Sequence, residues 1–219
     1  MIRKKEKSGS RKKAGRLSFP ADEAVHSWLP ILLEAYHVVD KGVAEAIGIE
    51  KKKGKKLACG KGCSSCCTTH KTIPVYPLEL VGISWYTIEK ISGPDREALK
   101  KQLEDHKEDG PCPFLADGAC SIHPLRPIAC RQFNVFGNPC AEGEDPYYTR
   151  REDVLSPIRG YTDRAFFIML PFYGVKAETD RKKVVERGSM HSMVKLMQTC
   201  KWKSLSERMH NFDKKTLER

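Results

Sequence analysis

Val25, Trp28, Leu29, Leu32, Tyr36, Val39, Val43 and Ile47 recur at spacings of three and four, the repeat of one helix face. Ser18-Phe19-Pro20-Ala21-Asp22-Glu23 supplies a start, with proline and acids in the first turn, and Gly48 a stop. Pro30 lies inside this pattern and should kink the helix or split it in two, because it has no N–H to give. Pro77-Leu78-Glu79 opens a second helix with Leu80, Ile83, Ile88 and Ile91 inward. A third, thinner helix runs from Pro94 to about His106 on Leu99 and Leu103. Two more helical segments are expected around 150–169 and 179–200, with Pro171 and Gly174 between them. Strand pattern is confined to about 112–123, where Asp117-Gly118 signals a two-residue hairpin turn. In a regular ladder Leu115 faces Cys120, Cys112 faces His123, and the two cysteines point to opposite faces unless the bend at Pro113 reunites them.

These elements predict a mainly α chain: a single helical domain over about 19–200 with a small cysteine-rich loop region and a short β-hairpin. Residues 1–18 read as a disordered basic tail and 201–219 as a polar C-terminal tail, since neither has the apolar content to pack. A length of 219 residues and a hydrophobic fraction of 40% suit one domain with a core plus tails. The longest nearly apolar run, Ala165 to Val175, is broken by Pro171 and Gly174, well short of the roughly 20 residues of a spanning helix. The N-terminus leads into Ser, Gly and Lys rather than an apolar stretch, so no secretory signal is read there. A cytoplasmic, reducing location is expected, where thiols are available to metals.

Charge changes the picture little. Of the formal +11, residues 1–16 carry +7 and residues 51–61 carry +6, which leaves −2 for the rest. Lysine runs of this kind are ordinarily solvated segments, and no arginine–aromatic interleaving accompanies them. Neither a membrane nor a nucleic-acid partner is expected; a protein partner is left open.

Cysteine does change it. Cys59, Cys63, Cys66 and Cys67 form one cluster, and Cys112, Cys120, Cys130 and Cys140 a looser second one. Thiolates two or three residues apart converge on one ion when a tight turn brings both sulfurs to one side. Gly60 and Gly62 allow such a turn and let amide N–H groups approach sulfur. Ligands from distant segments would also staple the fold, because the unfolded chain does not hold the metal. A reducing location and the adjacent pair Cys66-Cys67 argue against a disulfide framework, and packing alone does not require glycine-flanked clusters. Cys59-x3-Cys63-x2-Cys66 matches the spacing of radical S-adenosylmethionine enzymes, but this helical chain lacks the repeated strand–helix units of their barrel.

Gly62-Cys63-Ser64-Ser65-Cys66-Cys67, Cys112-Pro113-Phe114-Leu115, Gly118-Ala119-Cys120-Ser121-Ile122-His123 and Arg126-Pro127-Ile128-Ala129-Cys130-Arg131 together resemble the YkgJ-type cysteine-cluster family. That family is described as a zinc- or iron-chelating domain, and the flagellin lysine N-methylases carry a similar cluster in a longer chain. The resemblance covers about residues 57–142; its first gap is three residues where the family's shorthand has two. It implies that Cys140 is a ligand, which spacing alone leaves open. The candidate ligand set is therefore Cys59, Cys63, Cys66, Cys67, Cys112, Cys120, Cys130 and Cys140, with no catalytic residue assigned.

Eight thiolates allow two zinc ions, one zinc with spare thiols, or one iron–sulfur cluster. The surplus over four leans the expectation toward iron. Pro124 and Pro127 should start a short helix carrying Cys130 and Arg131. Arg126 and Arg131 either offset thiolate charge or pair with carboxylates elsewhere. His70 and His123 are secondary ligand candidates, and Cys200 is a lone thiol on the last expected helix. The function classes are a metal-binding protein with a structural or metal-handling site and, alternatively, an iron–sulfur enzyme with a protein-lysine methyltransferase-like activity.

Overall fold

The computed structural model describes residues 15–218. Most of the sequence assigned to the N-terminal tail lies outside them. Ten α-helices follow in chain order: α1 (Pro20–Val25), α2 (Trp28–Lys52), α3 (Ser65–Thr69), α4 (Pro77–Glu89), α5 (Gly93–Glu104), α6 (Ile128–Gln132), α7 (Pro146–Thr149), α8 (Arg159–Met169), α9 (Glu178–Glu186) and α10 (Trp202–Leu217). Two strand pairs join them: β1 (Pro74–Val75) with β4 (Lys195–Leu196), and the hairpin of β2 (Leu115–Ala116) with β3 (Ala119–Cys120). The mainly helical fold with a short hairpin is as the sequence implies. No helix among the described residues is long and apolar enough to cross a membrane.

The long N-terminal helix is indeed divided, but not at Pro30. The break falls at His26 and Ser27, and Pro30 sits in the first turn of α2, where a helix has no intrahelical use for an N–H. In front of α1, Glu23 accepts the Phe19 N–H at 2.8 Å and pairs with Arg16 at 2.7 Å, which closes the helix start. The helix continues through Gly48 to Lys52.

Helix α2 buries Leu29, Leu32, Leu33, Tyr36 and Val39 against α8 and α4, forming the larger core with Leu78, Trp85, Phe166 and Met169. Two glycines set how closely its neighbours approach. A Cβ at Gly42 would stand 2.6 Å from Cβ and Cγ of Tyr161 on α8, and one at Gly82 would stand 2.2 Å from Leu32 Cδ2. The other face of α4 supplies Ile83 to a second core with Leu99 and Leu103 of α5, Phe114, Ile122 and Met197.

That second core corrects the C-terminal assignment. Residues expected as a polar tail form α10, whose Trp202, Leu205 and Met209 are buried and whose Trp202 ring meets Phe114 edge-on at 4.8 Å. Arg96, almost fully buried, anchors α10 to α5 by pairing with Asp213 at 2.8 Å. Cys200 is not on a helix. It lies half-buried just before α10, its Sγ directed at the Leu196 carbonyl at 3.4 Å.

Candidate metal centre

The first cysteine cluster is shaped by a turn and a single helical turn. Gly62 takes φ +83°, and Cys63 N–H reaches the Gly60 carbonyl at 3.2 Å. Of the two glycines that allow such a turn, Gly62 is the one in the left-handed region. Helix α3 then presents Cys66 and Cys67 in succession, and Cys112 N–H donates to the Cys67 carbonyl at 2.7 Å. This bond brings the start of the second cysteine region onto the first. Ahead of the turn, Ala58 N–H bonds Val135 carbonyl at 2.8 Å, and the Val135 N–H in return points at Cys59 Sγ at 3.3 Å. An amide directed at sulfur favours its thiolate form.

The hairpin has the expected register, Leu115 opposite Cys120, with Asp117 at φ 48° and Gly118 at φ 71°, both in the left-handed region. The ladder is only two residues long, so Cys112 does not reach His123. Leu115 N–H bonds the Cys112 carbonyl at 3.0 Å, turning the chain at Pro113, and Cys112 Sγ lies 3.9 Å from Met197 Sδ. Cys112 and Cys120 thus rest against the same core, as do Cys67 and Cys130. The short helix after Pro127 is α6, and it carries Cys130 and Arg131 as expected.

A buried carboxylate, not foreseen in the sequence, holds α6 in place. Glu79 is fully buried; its Oε2 accepts the Tyr76 N–H at 2.9 Å and its Oε1 the Ile128 N–H at 2.7 Å. It therefore caps both α4 and α6 and ties the helix bearing Cys130 to the main core. Burial outweighs these bonds and pushes its pKa up to about 7.

The cysteines form overlapping electrostatic neighbourhoods that share Cys66. Contact with Cys112, then burial, pushes Cys67 up to about 12, with the charge of Cys120 adding to the rise and the contact with Cys66 opposing it. Contact with Cys67, then burial, raises Cys66. Burial first, then Cys66, Cys67 and Cys120, raises Cys130. Cys59 feels Cys63, Cys66 and Cys140, and Cys140 feels Cys63 and Cys66, though burial is the larger cause for both. All nine cysteines are free thiols. As placed, no three His, Cys, Asp or Glu groups among the described residues are gathered at metal-ligand spacing, so an ion would have to draw the loops inward. The raised pKa values mean that binding must displace protons.

The two arginines divide between the roles foreseen for them. Arg131 pairs with Asp40 at 2.7 Å, bonds the Arg126 and Pro124 carbonyls and lies 4.0 Å over the Tyr36 ring. Arg126 acts on Cys66, Cys120 and Cys130, lowering each pKa, and its Nε is buried with no hydrogen-bond partner among the described residues. An orphaned buried donor beside a set of thiols fits a centre that is anionic when loaded, as thiolate-bound zinc or iron is. The histidines fit less well. His70 Nε2 lies 3.1 Å from Asp145 and its ring packs edge-on to Phe133 at 4.2 Å. His123 is lowered by burial and then by Arg126 and Arg131. The Cys140 loop is pinned by Glu144, which accepts the Ala141 N–H at 2.8 Å and pairs with Arg150 at 2.8 Å.

The helical scaffold thus carries thiols from separate segments of the chain, Cys67, Cys112, Cys120 and Cys130, against one core. Residues 58–153 match the CxxCxxCC family, whose description reads "Putative zinc- or iron-chelating domain", in agreement with the resemblance read from the motifs. No curated protein and no solved structure matches the chain.

Proposed function

We propose that the thiol cluster is a closed metal centre whose role is structural or in metal handling, with Cys59, Cys63, Cys66, Cys67, Cys112, Cys120, Cys130 and Cys140 as ligands. The observation that carries this reading is the bond from Cys112 N–H to the Cys67 carbonyl at 2.7 Å, which joins the two cysteine regions, with Cys120 and Cys130 packed on the same core. Once an ion draws the loops inward and all eight thiols close round the metal, no open position remains, and such a site is structural. The alternative, an iron–sulfur enzyme, needs a substrate cavity beside the cluster. The cleft of about 550 Å³ between α8 and α9 is lined by Gln132, Thr162, Phe166 and His191 but by no cysteine, so this cleft does not supply it.

The test is purification without oxygen, metal analysis and an absorption spectrum, followed by chelation under native conditions. Loss of metal should lower the melting temperature, because the ion joins the segments that it binds. Chelated protein that melts unchanged would remove the structural role. Iron–sulfur protein would be brown and bleach in air; colourless protein carrying zinc would exclude the enzyme alternative.

A further inference from the structure

A second cleft, of about 330 Å³, opens where β4, α4 and the first turn of α10 meet. Leu80, Trp202 and Leu205 give it an apolar side, the last two being buried in the second core. Three cations also line it, Lys195, Lys201 and Arg208, and no acid does. Their side chains are exposed, and among the described residues none of the three forms an ion pair or a side-chain hydrogen bond. The hydroxyls of Ser84 and Ser204, which line the same cleft, have no partner among the described residues either. Five side-chain donors thus share one small space with no acceptor assigned to them.

The wall that carries these donors is fixed by its own bonds. Met197 N–H donates to the Ile73 carbonyl at 2.9 Å, Trp202 N–H to the Cys200 carbonyl at 2.8 Å, and the Trp202 indole N–H to the Met197 carbonyl at 2.7 Å. Little ordering is left for a ligand to supply. Like charges gathered round one cleft repel each other, and a counter-charge placed among them relieves that repulsion. Cys200 lies in the same wall, half-buried. Burial raises its thiol and the charge of Lys195 opposes the rise, which puts that ammonium within reach of the sulfur.

We propose that this cleft binds a phosphate group, either the free ion or the head of a small phosphorylated molecule. A single carboxylate would leave most of the cationic charge unmatched. A phosphate group brings about two charges and three strong acceptor oxygens, which suits several donors arriving from different elements. The apolar side formed by Leu80, Trp202 and Leu205 takes the body of an ester. The site shares no residue with the proposed metal ligands, so it does not depend on the metal-binding reading.

The experiment compares the full chain with a Lys195→Gln/Arg208→Gln variant, whose altered side chains are exposed and hold nothing in place. Inorganic phosphate and glycerol phosphate are each titrated into both proteins by calorimetry at constant ionic strength, with chloride as the control. Alkylation of Cys200 by iodoacetamide is followed in parallel by mass spectrometry, which reads the cleft of the unaltered chain without any substitution. The unaltered chain should bind phosphate saturably. Its Cys200 should react about tenfold more slowly at a ligand concentration about ten times Kd, by mass action. The variant should bind at least about tenfold more weakly and lose that protection. Tighter binding of glycerol phosphate identifies an ester as the natural occupant, and tighter binding of inorganic phosphate the free ion. An unaltered chain that binds neither beyond the chloride control overturns the proposal. So does a variant that binds as well as the unaltered chain, or a Cys200 that reacts equally fast with the ligand bound.

Discussion

Replacing Glu79 by Gln removes a charge from the interior while keeping the side chain's size. In the folded protein burial raises this carboxyl from the ordinary 4.5 to about 7, although two backbone N–H groups and Arg131 oppose the rise. The folded state therefore holds the proton more tightly than the unfolded chain. Stability from this group is fully present below pH about 4.5 and is lost as pH rises to about 7. At about 1.4 kcal/mol per tenfold change in proton affinity, the swing is on the order of 3 kcal/mol. The Glu79→Gln side chain cannot ionise, so the variant lacks this swing. It carries a constant penalty instead, because its amide N–H₂ must face one of the two backbone donors that Glu79 now satisfies. His70 and His123, both lowered, act in the opposite direction over part of the range and are common to both proteins. The informative quantity is thus the difference between the two proteins, followed by urea unfolding from about pH 4.5 to about pH 8 at fixed metal loading. Relative to the variant, the unaltered chain should lose on the order of 3 kcal/mol across that range. Parallel curves would refute the argument that burial dominates the charge state of Glu79.

Three further outcomes are expected. Gly42→Ala should destabilise the fold by about 1–3 kcal/mol in thermal or urea unfolding, since its methyl would enter the Tyr161 side chain where α2 and α8 touch. Arg126→Gln should weaken metal affinity by about 10–100-fold in chelator competition with little change in the far-ultraviolet circular dichroism, because it removes the charge beside Cys66, Cys120 and Cys130. Cys130→Ser should lower both metal content and melting temperature, because Cys130 lies among Cys66, Cys67 and Cys120, whereas Cys200→Ser, with no thiol neighbour, should alter neither; equal behaviour of the two would erase the distinction between ligand and bystander.

Where a local rule decides the conformation, the sequence is readable. Asp117-Gly118 requires two left-handed residues in a row, and that alone sets Leu115 opposite Cys120. The apolar spacing of α2, α4 and α5 places those helices to within a few residues. Helix α10 is hidden although Trp202, Leu205 and Met209 keep a helical spacing, because the charged residues between them dominate the composition. Pro30 misleads for a related reason: a proline is harmless in a first turn, and where that turn begins depends on how α1 packs. Glu79 carries no signal at all. An acid at a helix start reads as an exposed cap, and only the approach of Ile128 from a distant segment makes it a buried double cap. The eight cysteines are visible as a group, but the packing of Cys67, Cys112, Cys120 and Cys130 on a core supplied partly by α10 is not.

That dependence has a temporal side. Cys67, Cys112, Cys120 and Cys130 rest on a core completed by Trp202, Leu205 and Met209, which a ribosome adds long after Cys130. At roughly 5–20 residues per second, the growing chain carries these thiols uncovered for several seconds before α10 emerges to close over them. Metal capture and oxidation therefore compete for the same thiols in that interval, and a messenger cut short ahead of Trp202 would yield a chain whose cysteines never find their shelter.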